Sequence, residues 1–147
     1  MALRQAGLRE DPYNRILRLQ EEAYGWEAKA HRLVLAARKL EQRSARLALK
    51  ARKVREKAKT RAERSESLQR KAYAMLRESQ AVDKELKLEK SRLLESEAEA
   101  LRRKADVMNS EAERLRGAAQ SKESESVTFL VNAKRLLLEA ESAKGLL

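Results

Sequence analysis

Residues 39–64 read KLEQRSARLALKARKVREKAKTRAER, a stretch in which large apolar residues recur every seven positions. Leu40, Leu47 and Val54 occupy position d of a heptad repeat, whose positions are lettered a to g, and the a positions between them, Ser44 and Ala51, are small. The stretch contains no Gly, Pro or aromatic residue, so no strong helix breaker interrupts it. A sustained a/d repeat predicts an α-helix that packs against another helix in a left-handed coiled coil.

The repeat extends over most of the chain in two runs. In the first run, position a is Ala23, Ala30, Ala37, Ser44, Ala51, Ala58, Ser65, Ala72 and Ser79, and position d is Leu19, Trp26, Leu33, Leu40, Leu47, Val54, Leu68, Met75 and Val82. In the second run, position a is Ala98, Ala105, Ala112, Ala119, Ser126, Ala133 and Ala140, and position d is Leu94, Leu101, Met108, Leu115, Phe129 and Leu136. Small residues at a let two helix backbones approach closely. This pattern resembles the packing called an alanine coil, which implies an antiparallel pair.

The ends of the helical region and a break within it are also predicted. Asp11-Pro12 is typical of an N-cap followed by the first helical residue, and Lys144-Gly145 is typical of a helix end. The two runs are out of phase, which predicts a change of register between them. We therefore expect an N-terminal arm at 1–11, a basic heptad helix at 12–86, a register shift or bend at 87–93, and a heptad helix at 94–147. The predicted fold is an elongated, all-α antiparallel coiled coil, formed either as a helical hairpin or as an antiparallel dimer.

Charges at position g favour the antiparallel arrangement. The first run has basic g residues and the second has acidic ones, and an antiparallel pair brings g positions of the two helices together. The predicted helix-pairing charges are Lys29, Arg43, Lys57 and Lys71 with Glu139, Glu125, Glu111 and Glu97 respectively. The residue numbers of each predicted pair add up to 168, which centres the alignment near residue 84.

Composition narrows the classes of function. The chain has 147 residues, a net charge of +11, no Cys and a single His, so it lacks the clustered ligands and partners that metal sites and nucleophilic relays require. The glycines are isolated and form no phosphate-binding loop. We therefore predict no enzyme activity, no catalytic residues, no cofactor and no metal. The N-terminus lacks the apolar core of a signal peptide and no stretch is long enough to span a membrane, so we expect a soluble, intracellular protein, or one inside a particle.

The positive charge is concentrated in residues 38–64, which hold twelve basic and three acidic side chains. Positions b and c of this basic block point away from the helix interface, and they predict contacts to phosphate or to an acidic partner through Arg38, Lys39, Arg46, Arg52, Lys53 and Lys59. Three interpretations fit: a solvated helix face, non-specific binding to nucleic-acid phosphates, or binding to an anionic membrane or an acidic protein. The block has no aromatic residue on which unpaired bases could stack and no known groove-reading motif that presents Asn or Arg to base edges, so nucleic-acid binding would be non-specific.

A second feature concerns apolar residues beyond those that one helix interface needs. Trp26 lies among small residues, and the stretch VTFLVNAKRLLLEA (127–140) widens the apolar stripe beyond positions a and d. We predict assembly contacts at Trp26, Phe129, Leu130 and Leu137. The predicted partners are further copies of the chain or another helical protein.

These features support three functional hypotheses. The first is a non-enzymatic structural protein that self-assembles through antiparallel helix pairing. The second is a non-specific nucleic-acid-coating or packaging protein that uses the basic block. The third comes from a resemblance: PYNRILRLQEEA (12–23) followed by Ala/Leu heptads is similar in shape to the coiled-coil stalk proteins of flagellar and type III export systems. That similarity covers residues 12–60, implies a stalk component of a secretion apparatus, and departs from those proteins in lacking a clear mid-chain turn.

Overall fold

The computed structural model describes residues 11–75 and 77–146. Helix α1 is Pro12–Tyr73, a short 3₁₀ helix is Glu78–Gln80, and helix α2 is Ala81–Lys144. The two long helices pack antiparallel, and the described residues contain no strand. The predicted all-α antiparallel fold is confirmed, and the chain forms it as a helical hairpin.

The helix ends follow from local chemistry. The backbone N–H of Tyr13 donates to Asp11 Oδ1 at 3.2 Å, which satisfies one of the amides that a helix N-terminus leaves unpaired. At the other end, the backbone N–H of Gly145 donates to the carbonyl of Glu141 at 3.2 Å. The predicted helix start at Pro12 and the helix end at Lys144 are confirmed. The predicted arm at 1–11, apart from Asp11, lies outside the described residues.

The chain reverses before the segment in which the sequence predicted a register shift or bend. Residues 87–93 lie inside α2, and the reversal falls between the end of α1 at Tyr73 and the start of α2 at Ala81. Arg77 there has φ −88° and ψ 135°, an extended conformation that any residue can adopt, so the reversal needs no Gly or Pro. The predicted interface residues Ser79 and Val82 are exposed for this reason, with Val82 71% exposed. Ser91, by contrast, is fully buried and extends the phase of the second run toward the turn.

The small a residues form the interface between the helices. All of the predicted a positions except Ser79 are buried, and Ile16 and Ser91 extend the same row. Most large d residues, such as Leu40 and Leu101, are only half-buried, because two helices alone cover the a row but leave much of the d row at its side. Leu19, Leu115 and Leu136 are the d residues that are buried. Ser44 Oγ donates to the carbonyl oxygen of Ala112 at 2.7 Å, a side-chain bond across the interface that requires the two backbones to lie close together.

The hairpin divides into two compact units, and each helix contributes to both. The terminal unit is residues 1–41 and 117–147, and the turn unit is residues 42–116. The core of the terminal unit is formed by Ile16, Leu19, Ala23, Ala133, Leu136, Ala140 and Ala143. In the turn unit, Ser65 and Ser91 face each other, with each hydroxyl within hydrogen-bond distance of the other residue's carbonyl oxygen, at 2.9 and 3.0 Å.

Candidate functional site

The six residues predicted to contact phosphate or an acidic partner are all exposed. Arg38 and Lys39 belong to the terminal unit, whereas Arg46, Arg52, Lys53 and Lys59 belong to the turn unit. None of the six forms an ion pair within 4 Å among the described residues. Their role in binding stays a prediction.

Folding leaves most of the basic block in the turn unit without an acidic partner. Residues 42–64 contain ten Lys and Arg side chains and two Glu. Of those ten cations, Arg55 pairs with Asp106 at 2.9 Å and Arg61 pairs with Glu97 at 3.2 Å, and the others form no ion pair within 4 Å of a described residue. The segment of α2 that faces this block, residues 92–114, holds five basic and six acidic side chains. It therefore cannot neutralise the charge of α1.

Net charge differs sharply between the two units. The turn unit has 22 basic and 13 acidic residues, a net charge of +9, and the terminal unit has 12 basic and 10 acidic residues, a net charge of +2. Nearly all of the chain's positive charge is therefore carried by residues 42–116.

The predicted pairing of charges has the correct sign pattern but the wrong register. Ser44 meets Ala112 and Ser65 meets Ser91, so the numbers of facing a residues add up to 156 and those of facing g residues to 154. The residue numbers of the predicted g pairs added up to 168, so the predicted alignment differs from the observed one by two heptads. A shift of whole heptads preserves the chemical pattern of a repeat, which is why the charges could not distinguish the two alignments.

The observed register gives the predicted pairing charges new partners. Arg43 lies opposite Glu111, and its charge contributes to a lowered pKa of that carboxyl, of which the main cause is the hydrogen bond from Arg114. Glu97 pairs with Arg61 and not with Lys71. The remaining predicted residues, Lys29, Lys57, Lys71, Glu125 and Glu139, form no cross-helix ion pair within 4 Å of a described residue.

Two grooves lie on opposite edges of the helix pair in the turn unit. The d/g edge is the side where d and g residues of both helices lie, and its groove, about 330 Å³ in volume, is lined by Arg64, Ser67, Leu68, Lys71, Lys90 and Leu94. The e/b edge is the side of the e and b residues, and its groove, about 580 Å³, is lined by Arg55, Lys59, Ala62, Glu63, Glu66, Arg102 and Asp106. The d/g groove thus has three cations and no carboxylate, whereas the e/b groove has three of each.

Sequence reasoning missed the cationic d/g groove. Lys71 was assigned to helix pairing, Lys90 was placed in the predicted register shift or bend, and Arg64 was not among the predicted site residues. The observed register instead places Arg64 opposite Lys90 and Lys50 opposite Lys104. Aligning the two helices in the observed register would have revealed these like-charge positions from the sequence.

Another like-charge contact lies in the terminal unit. A hydrogen bond between the carboxyl groups of Glu123 and Glu41, with their mutual repulsion, raises the pKa of Glu123. Two carboxyl groups at short range cannot both ionise without repulsion, which favours the protonated form of Glu123.

The predicted assembly residues occupy different environments in the terminal unit. The rings of Trp26 and Phe129 pack against each other with centroids 4.9 Å apart, and Lys29 Nζ lies 4.8 Å from the Trp26 ring centroid. Trp26 and Leu137 also contact the core of this unit, whereas Leu130 is 46% exposed. The contacts of Trp26 and Phe129 therefore stabilise the hairpin itself. The role of these two residues in assembly stays a prediction.

Other apolar residues of the terminal unit are exposed to a similar degree. Those that lie in the two helices are Tyr13, Leu17, Tyr24, Leu35, Val127, Leu130, Val131 and Leu138. These residues occupy positions b, e and f of the two helices, outside the interface that holds the hairpin together.

Comparison with known proteins finds no matching family model, no matching curated sequence and no matching solved structure. Across residues 11–75 and 77–146, neither long helix is apolar enough over a sufficient length to cross a membrane. Within the same part of the chain, no group of three or more His, Asp and Glu side chains is placed to hold a metal ion.

Proposed function

We propose that the protein is a non-enzymatic helical structural protein whose turn unit binds the phosphate backbone of duplex nucleic acid without reading sequence. The single observation that supports this most is the net charge of +9 on the turn unit. Eight of the ten cations at 43–64 form no ion pair within 4 Å of a described residue, so their charge is available to an external polyanion.

The physical basis is counterion release. A cation that contacts a duplex phosphate displaces a condensed counterion, and the logarithm of the binding constant falls with the logarithm of salt concentration by about 0.9 per contact. Tyr73 is the one aromatic residue in the turn unit, and Lys84 Nζ lies 5.8 Å from its ring centroid. With so little aromatic surface for unpaired bases, a duplex fits this unit better than a single strand.

The test is binding of labelled 20-base-pair DNA and RNA duplexes to the full chain across roughly 50–300 mM salt, the range over which counterion release is large. The block variant replaces six cations with Gln: Arg38, Lys39, Arg46, Arg52, Lys53 and Lys59. A matched control removes the same charge from the terminal unit by replacing with Gln Arg15, Arg32, Lys122, Lys134, Arg135 and Lys144.

We expect tight, salt-dependent binding by the wild type, a much weaker affinity and a shallower salt slope for the block variant, and a small change for the control. Absence of wild-type binding at low salt would overturn the proposal. Equal losses in the two variants would mean that overall charge, and not this block, controls binding.

We also propose that the chain self-assembles, on a separate observation. The a row is already filled within one hairpin, so association through that row would require the hairpin to open. Exposed apolar residues of the terminal unit, such as Val131 and Leu138 at 61% and 60% exposure, offer a surface for association outside that row. Light scattering at micromolar concentration should show an oligomer that Val131→Asp with Leu138→Asp converts to a monomer, while Leu49→Asp in the turn unit leaves it intact. A monomeric wild type would exclude this second function.

A further inference from the structure

We infer that duplex nucleic acid contacts the turn unit along its d/g edge, where Arg64, Lys71 and Lys90 together bind backbone phosphate. This inference rests on the proposed function and assigns it to one edge of the helix pair. It also differs from the set predicted from sequence, in which the b residues Arg52 and Lys59 were expected to take part.

The charge balance of the two grooves carries the inference. In the e/b groove, three carboxylates line the same surface as three cations, and Arg55 is already paired with Asp106 at 2.9 Å. A phosphate entering that groove would meet as many negative as positive groups. In the d/g groove, Arg64, Lys71 and Lys90 converge with no carboxylate among the lining residues, so only attraction acts on an anion there.

The opposition of like charges adds a second argument. Arg64 lies opposite Lys90, and one more like-charge pair, Lys50 opposite Lys104, falls two heptads away on the same edge. Like charges that face each other across a helix pair are unfavourable in the free protein. A bound phosphate between such cations converts that repulsion into attraction, so the edge gains more from an anion than isolated surface cations would.

The edge also suits the length of a duplex. The c and g residues Lys53 and Lys57 line a groove along α1 together with Arg61 and Arg64, and Glu56 is the one carboxylate of that lining. From Lys53 to Lys71 the helix rises roughly 27 Å at about 1.5 Å per residue. Duplex DNA presents about one phosphate per 1.7 Å of its axis, so a duplex lying along this edge offers a phosphate to each of these cations.

An anionic membrane is the competing ligand, because Leu86, Leu93 and Val107 are exposed on the c row of α2 beside this edge, and Val82 is exposed one turn before Leu86. Leu68 and Leu94 in the groove itself are half-buried. The exposed apolar residues beside the edge lie on one helix, whereas cations of both helices line the edge, so charge dominates it. The duplex is the ligand that charge alone can hold.

The test compares two variants with the same loss of charge. The edge variant is Arg64→Gln, Lys71→Gln and Lys90→Gln, and the control variant replaces with Gln three exposed cations of the turn unit that do not line the d/g groove: Arg70, Arg92 and Arg116. Each protein is titrated with the labelled DNA duplex across the salt range, and separately with vesicles of phosphatidylcholine containing phosphatidylserine. Circular dichroism follows thermal unfolding of both variants, and the edge variant should melt no lower than wild type because Arg64 and Lys90 repel.

We expect the edge variant to bind duplex at least tenfold more weakly at low salt, with a salt slope smaller by about 2.7 for three lost contacts. The control should keep the wild-type slope, and vesicles should bind weakly in all three proteins. Equal losses in the two variants, or a greater loss in the control, would overturn the edge assignment while leaving the proposed function standing. Absence of wild-type duplex binding would overturn both. Vesicle binding tighter than duplex binding and abolished in the edge variant would replace the duplex with a membrane.

Discussion

Close approach of the two helices at the a row predicts a large penalty for a bigger residue there. Ala58 and Ala98 face each other in the turn unit, and each is 1% exposed. Ala98→Leu adds three heavy atoms to a layer with no room for them. Overpacking of a filled core costs about 1–3 kcal/mol, and we expect the upper end, because the atoms across the interface include backbone and cannot rotate away as a side chain can.

A melting experiment tests this reasoning. A loss of about 3 kcal/mol in a chain of this size corresponds to a fall in Tm of roughly 6–12 °C. The matched control is Ala100→Leu, which adds the same hydrocarbon at an exposed position two residues away, and its Tm should stay within about 2 °C of wild type, since surface substitutions usually change stability by less than 0.5 kcal/mol. Circular dichroism at 222 nm follows both transitions. If Ala98→Leu melted at or above the wild-type temperature, the close packing of these layers would be refuted.

Three further predictions concern side chains at the helix interface and its edges. Ser65→Ala should cost only about 1 kcal/mol in a denaturant titration, because Ser91 Oγ keeps its bond to the carbonyl of residue 65; a loss above 3 kcal/mol would contradict this. The pKa of Glu123 is raised in the folded protein. Its contribution to stability is therefore present below its unfolded pKa and is lost as pH rises through the folded pKa. We expect Glu123→Gln to raise Tm at pH 7 and to leave Tm unchanged near pH 3. The opposite sign holds for Glu111, whose pKa is lowered mainly by the hydrogen bond from Arg114. Its contribution to stability is present above its unfolded pKa and is lost as pH falls through the folded pKa. We expect Glu111→Gln to lower Tm at pH 7 but not near pH 2.

Much of the fold could be predicted because the heptad repeat determines it. Burial of Ala23, Ala51 and Ala105 follows from periodicity alone, and the helix start at Pro12 follows from the cap at Asp11. The turn was not predicted, because the first repeat continues in the sequence through Ser79 and Val82, which are exposed in the structure. Its backbone is extended at Arg77 and carries no Gly or Pro signal, so local sequence rules had nothing to detect.

The candidate site was harder to predict because it depends on register. A repeat of seven lets two long helices slide by whole heptads with little change in the residues at a and d. The Ser65 and Ser91 hydrogen bonds, the bond from Ser44 to Ala112 and the position of the turn fix the alignment, and all of these depend on tertiary structure. The charges of Arg64 and Lys90 were visible in the sequence, but their apposition was not.

The position of the turn has a consequence for the order of folding. Ser65 and Ser91 are 26 residues apart in the chain, whereas Ile16 and Ala140, which share the core of the terminal unit, are 124 apart. Closing the longer loop first would cost about 1.4 kcal/mol more chain entropy. We therefore expect the two helices to pair first beside the turn and then progressively toward the chain ends. The layers around Ile16 should be the last to form. Hydrogen exchange should show the same order, with backbone amides of the terminal unit opening before those of the turn unit.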